Sequence, residues 1–132
     1  MEDECPYPDE IVTFYCATGR PVFYLRDQKW FYHYDGAPLA YLYNNLYVVS
    51  FSGRYLGWVH NGSIYSFLDG TCAFFTAYSS GGPSRPSRQS RPSRGSRQSR
   101  PSRSSKESRP SKPSRKSSWS ANSNESFFPD YQ

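Results

Sequence analysis

Cations are scarce where the chain is rich in aromatics, and aromatics are scarce where it is rich in cations. Residues 1 to 80 carry only Arg20, Arg26, Lys29 and Arg54 against eight acids, which leaves that part at −4. Residues 81 to 132 hold twelve cations against Glu107, Glu125 and Asp130, which leaves +9, and their only aromatics are Trp119, Phe127, Phe128 and Tyr131. By contrast, 19 of the 70 residues from 11 to 80 are Phe, Tyr or Trp, so only this part can bury a core. No run approaches the ~20 apolar residues of a membrane span. The acidic opening Met1-Glu2-Asp3-Glu4 reverses the basic start of a signal peptide, and the expected location is cytoplasmic. Cysteine is sparse: Cys5, Cys16 and Cys72 cannot all pair within one chain, and reduced thiols are the expectation. With His33 and His60 the only histidines, no metal or other cofactor is expected. No Ser-His-Asp, HExxH, Walker or dinucleotide signature occurs. The chain therefore reads as non-enzymatic, with no catalytic residue and no small-molecule substrate.

What the first part does have is a period. Gly19, Gly36, Gly53 and Gly70 stand 17 residues apart without drift. An aromatic follows each by five residues, at Tyr24, Tyr41, Trp58 and Phe75, and Val22, Leu39, Leu56 or Ala73 follows by three. Seventeen residues are too few for a helix-turn-helix unit, and β-branched and aromatic side chains favour strands. Asp35-Gly36 and Asp69-Gly70 are hairpin turn signals, since tight turns require positive φ. A second turn falls at Asp27-Gln28, Asn44-Asn45, Asn61-Gly62 and Tyr78-Ser79. Each repeat thus reads as one β-hairpin, giving eight short strands.

With Asp-Gly in a two-residue turn, the aromatic column pairs with Thr13, Trp30, Tyr47 and Ile64, on one face with Val22, Leu39, Leu56 and Ala73. The opposite face carries Phe14, Phe31, Val48 and Tyr65, so both faces are apolar and which one is inside stays open. A hairpin is unstable alone, so four copies must share a core, most economically about a pseudo-four-fold axis. Cys16, His33, Ser50 and Phe67 occupy one column. That column is either a convergence of a nucleophile with a base, or half a metal site, or ordinary strand packing, and packing is the favoured reading because a zinc site needs three or four ligands and the repeat supplies two.

The pattern aromatic, x-Gly, small or Pro, Leu, small, aromatic, seen as YDGAPLAYL and FSGRYLGWV, resembles the four-fold beta-flower domain, a small repeat domain of bacterial proteins. The resemblance covers residues 11 to 80. The later Ser-Arg-Pro tract with SWS and Phe-Phe also looks like tails carried by some such proteins. It implies no established activity and supplies no catalytic residue.

From residue 83 to 118 the chain runs in triplets, and only the last of the twelve departs from x-Ser-Arg or x-Ser-Lys. A tract with nothing to bury and high charge is expected to be disordered. Its prolines favour an extended left-handed helix of about three residues per turn, which aligns Arg85, Arg88, Arg91, Arg94, Arg97, Arg100, Arg103, Lys106, Arg109, Lys112, Arg115 and Lys116 as a comb. These are candidate contacts to nucleic acid or another polyanion. The alternative is a solubilising tail, or a tether folded back on the acidic head. Each serine is also a possible phosphate acceptor. Trp119, Phe127 and Phe128 are candidate docking residues for a protein partner, or else pack on the chain's own head.

The expected organisation is an acidic segment 1–10, an all-β four-hairpin ring 11–80, a disordered basic tract 81–118 and an aromatic segment 119–132. The expected function is a non-enzymatic binding or assembly module, with a polyanion-associated factor acting through the tract as the alternative.

Overall fold

A computed structural model describes residues 5–131; residues 1–4 of the acidic segment and the last residue lie outside it. The repeat becomes eight strands: β1 (Ile11–Tyr15), β2 (Pro21–Arg26), β3 (Trp30–His33), β4 (Pro38–Tyr43), β5 (Tyr47–Ser50), β6 (Tyr55–His60), β7 (Ser63–Ser66) and β8 (Cys72–Phe74). Each pairs antiparallel with the next in chain order. Just beyond β8, Phe75 and Tyr15 exchange both backbone hydrogen bonds, at 2.8 and 2.9 Å, which closes the sheet into a barrel-like ring. Gly19, Gly36, Gly53 and Gly70 sit at the four hairpin turns with φ of 87°, 99°, 97° and 81°, a region glycine enters without steric penalty.

The aromatic column pairs with Thr13, Trp30 and Tyr47 in the first three hairpins. The fourth differs from the sequence expectation: Ile64 pairs with Phe74, not Phe75. The cause is a pair of compensating turns. Asn61-Gly62 is a two-residue turn between His60 and Ser63, whereas the earlier turns enclose three residues between Arg26 and Trp30 and between Tyr43 and Tyr47. Strand β7 thus begins one residue early. The next turn regains that residue, since Gly70 N donates to Ser66 O while the other turn glycines donate to the residue three before them. The glycine period survives, and Ser66 takes the place expected for Phe67.

A second correction concerns the faces. In the first hairpin Phe14 pairs with Phe23 and Tyr15 with Pro21, which passes over Val22; Leu39, Leu56 and Ala73 are passed over likewise. Each hairpin therefore carries a β-bulge in this column. The extra residue reverses the alternation. Val22, Leu39, Leu56 and Ala73 join Phe14, Phe23, Phe31, Val48 and Ile64 in the main core, opposite the aromatic column, where strict alternation would have left them beside it.

Both ends of the ring are filled from the chain termini. At one end Tyr7 is fully buried edge-on to Phe14, its hydroxyl donating to Gly62 O at 3.0 Å. At the other, Phe127 and Phe128 enter the core against Phe74 and Phe23. A single 3-10 turn, Glu125–Phe127, delivers them, capped by Asn124, whose side chain accepts from Ser126 N.

Candidate binding surface on the outside of the ring

The outward face of the ring carries Tyr24, Tyr41, Trp58 and Phe75, yet each is at most 3 % exposed. What covers them is the Ser-Arg tract. The tract expected to be disordered has neither helix nor strand between residues 83 and 117, but it is not a free tail: it lies as a strap around the barrel. The amides of Gln89, Gln98, Glu107 and Lys116 donate to the carbonyls of Gly19, Gly36, Gly53 and Gly70 at 2.9, 2.9, 3.0 and 2.9 Å. The strap carbonyls of Ser87, Ser96, Ser105 and Ser114 rest where a side chain would begin on those same glycines; a Cβ there would come within 2.1, 1.9, 2.2 and 2.0 Å of them. Each turn glycine is thus a docking point for the strap.

Nine strap residues therefore match seventeen ring residues. At ~3.1 Å per residue, nine residues of extended helix span about 28 Å per hairpin. The tract divides accordingly into PSRPSRQSR, PSRGSRQSR, PSRSSKESR and PSKPSRKSS. This fourfold nine-residue period, concealed by the more obvious triplet, is the signal that could have revealed the strap. At its end Trp119 bridges to Cys72, packs on Phe75 and donates its indole N–H to Ser84 O at 3.2 Å, so the strap completes one circuit.

The cations explain the adhesion. Arg88 lies over Tyr15, Arg94 over Tyr24, Arg97 over Tyr32, and Arg100 and Arg103 over Trp30, with Arg100 only 3.9 Å from the ring centre. Lys106 lies over Tyr43, Arg109 over Tyr47, Lys112 between Tyr47 and Trp58, and Arg115 over Tyr65. Each such contact contributes roughly 0.5–1 kcal/mol at an exposed site. Composition rules for disorder count only what a tract can bury within itself. Here the complementary surface lies on another part of the chain. Burial raises the pKa of Tyr41, against the opposing pull of Arg103 above it. Burial and the charges of Arg115 and Lys112 lower that of His60.

Arg85 donates to Gly81 O, and Arg91 and Lys116 have no ring beneath them. None of the twelve strap cations forms an ion pair among the described residues, and all twelve are exposed on their outer side. The tract does fold back on the head, and among the described residues it is held by backbone hydrogen bonds and aromatic faces without ion pairs.

The docking candidates Phe127 and Phe128 are buried in the ring's own core, and Trp119 is half-buried against it. Beside them Glu125 makes two bonds to Arg20, at 3.0 and 2.9 Å, and meets His33 Nε2 at 3.0 Å. The Asp35 amide donates to His33 Nδ1, leaving Nε2 to donate to Glu125. Tyr131 stacks on His33 and donates to Asp35 at 2.7 Å. The Arg20 hydrogen bonds hold the Glu125 carboxyl down to about 2. Burial opposes ionisation of Cys16, but its hydrogen bond with Thr18 and the charge of Arg20 outweigh burial and leave the thiol below its ordinary value. Ser50 bonds to Ser52, so the column of Cys16, His33 and Ser50 is engaged in local caps. No cluster of three or more metal-type ligands occurs among the described residues.

A native carboxyl held below its ordinary value stabilises the fold fully above pH 4.5, and the contribution is lost as pH falls toward 2. With solvent screening at the half-exposed Arg20, the contribution is about 1–2 kcal/mol. Glu125→Gln is expected to lower stability by that amount at pH 7 and to flatten the decline between pH 4.5 and 2. Urea melts at several pH values check it; an unchanged acid limb would show that Glu125 does not anchor the segment.

A family model of 4-fold beta flower proteins matches residues 12–128, from the first strand through the strap to the phenylalanine pair. The chain belongs to that family. The beta-flower match thus takes in the Ser-Arg tract as well as the four hairpins. No curated protein and no solved structure matches the chain. No helix among the described residues of this beta flower is long and apolar enough to cross a membrane.

Proposed function

We propose that this beta flower is a non-enzymatic binding module that presents an ordered belt of cations to a linear polyanion, with nucleic acid the first candidate. The observation that supports it most directly is the hollow of about 950 Å³ on the strap, where Arg94, Arg97, Arg100 and Arg103 converge around Trp30 and Tyr32. These arginines rest on aromatic faces, and none has a carboxylate partner among the described residues. A phosphate chain meeting them finds cations already positioned, so little ordering entropy is lost on binding. Neither the hollow nor the strap offers the base-edge geometry of sequence readout, and affinity rests on charge.

A belt wound round a ring offers a linear polymer one arc at a time. Binding of a labelled single-stranded RNA is therefore expected to weaken with salt with a log-log slope of roughly −3 to −4, from about four to six phosphates. The triple change Arg85→Gln, Arg91→Gln, Lys116→Gln touches no stacked cation and should flatten that slope without lowering the melting temperature. Fluorescence anisotropy at several salt concentrations decides. Absence of binding in low salt, or a salt-independent signal, overturns the reading.

A further inference from the structure

The ring's approximate four-fold symmetry lets one half be compared with the other. Arg20 follows turn glycine 19 and Arg54 follows turn glycine 53, two repeats apart. His33 accepts the Gly36 amide at 2.9 Å and Ser66 accepts the Gly70 amide at 2.9 Å, again two repeats apart. Arg20 and His33 therefore correspond to Arg54 and Ser66 under a half-turn of the ring. Between Arg20 and His33 the chain places its own carboxylate, Glu125. Beside Arg54 and Ser66 the only carboxylate in the cavity wall is Glu107, which is turned to Tyr55 N and forms no ion pair with Arg54 among the described residues.

A cavity of about 370 Å³ lies there, walled by Arg54, Ser66 and Glu107 on the polar side and by Leu56, Phe67 and Phe127 on the apolar side. This volume lies within the range of small-molecule sites. The Arg54 side chain makes no ion pair or hydrogen bond among the described residues. Ser66 is fully buried beneath the cavity, its hydroxyl oxygen accepting from Leu68 N at 3.1 Å. Leu68, 73 % exposed, stands at the rim.

We infer that this cavity is a binding site for a small monocarboxylate with an apolar body. The carboxylate takes the place that Glu125 holds in the related half, bidentate on Arg54, and the body lies against Phe67 and Phe127. Bidentate guanidinium–carboxylate pairing gives the site its geometry. Glu107, on the same wall with one oxygen accepting from Tyr55 N at 2.9 Å, sets a negative charge nearby that weakens any anion here and a dianion or phosphate chain more than a monocarboxylate. The cavity lies beside the belt, which lends Glu107 and Pro110 to its wall, and differs from it in ligand.

The test is an amide-resolved NMR titration of the full chain with 3-phenylpropanoate and, separately, with its uncharged amide. The acid is expected to give saturable shifts at Ser66, Phe67 and Leu68, with the amide at least about tenfold weaker, a ratio equivalent to ~1.4 kcal/mol. Arg54→Gln should weaken the acid by a similar factor, while Arg54→Lys, which keeps the charge but loses the fork, should fall between. Arg54 is exposed and unpaired, so neither change should disturb folding, and unchanged spectra elsewhere confirm it. Equal binding of acid and amide, no saturable shift at these residues, or full affinity in Arg54→Gln would each overturn the assignment.

Discussion

A chain in which all twelve strap cations are replaced by glutamine is expected to melt at least about 15 °C below the parent. Nine of the twelve lie on aromatic rings. At roughly 0.5–1 kcal/mol each they sum to about 5–9 kcal/mol before non-additivity, against a total of about 5–15 kcal/mol for a domain. A loss of about 4 kcal/mol already gives the stated shift at roughly 4 °C per kcal/mol. Glutamine preserves the backbone hydrogen bonds to the glycines but cannot hold the aromatic face, which then opens a large apolar patch to water. Aggregation should accompany the shift. Replacement by lysine should retain much of the stability, because Lys106 and Lys112 already sit on Tyr43, Tyr47 and Trp58. Thermal melts of the three chains check this; a glutamine chain that melts with the parent would mean the cations do not hold the strap.

Gly36→Ala is the largest single-residue effect to be expected, about 3 kcal/mol or more. Its φ of 99° strains any residue with a side chain, and its Cβ would lie 1.9 Å from Ser96 O and 2.8 Å from Ser96 C. Adopting positive φ accounts for roughly 1–2 kcal/mol. The remainder comes from displacing the strap and losing the bond from Gln98 N, for about 1 kcal/mol or more. Gly81→Ala separates the two contributions. Gly81 also has positive φ, at 68°, but a Cβ there meets nothing nearer than Asn61 Nδ2 at 4.0 Å. It should lose only the conformational part. Denaturant melts of both variants give the comparison, and equal losses would show that close approach of the strap contributes nothing at Gly36.

These glycines also show what the sequence could and could not disclose. Their period was legible because a backbone that needs positive φ leaves a residue-type signature, and the strand count followed from it. The second reason for the same glycines, the strap carbonyl lying on each Cα, leaves no separate mark. The faces were illegible for a local reason: a bulge at Val22, Leu39, Leu56 and Ala73 exchanges inside for outside, and no residue type announces a bulge. The shift in the fourth hairpin was half visible, since Asn61-Gly62 is a two-residue turn signal at a place where the other repeats have Asp27-Gln28 and Asn44-Asn45 followed by one more residue. The strap was missed because Arg and Ser cannot bury each other. Its partners are the aromatics of residues 15 to 65, and the clue was relational: four nonamers beside four hairpins. The Glu125 anchor and the cavity beside Arg54 depend on where the chain terminus crosses the ring, which no local pattern encodes.

Amide hydrogen exchange along residues 83 to 118 of the native chain tests the seated strap most directly. Gln89, Gln98, Glu107 and Lys116 each donate to a turn glycine, and Gly95 and Ser104 donate to Tyr34 and Phe51. These six amides should exchange slowly, with protection recurring every nine residues, while the intervening triplet amides exchange at near-unfolded rates. Uniformly fast exchange through the whole tract, with the ring strands protected, would contradict the strap and return the tract to a free cationic tail.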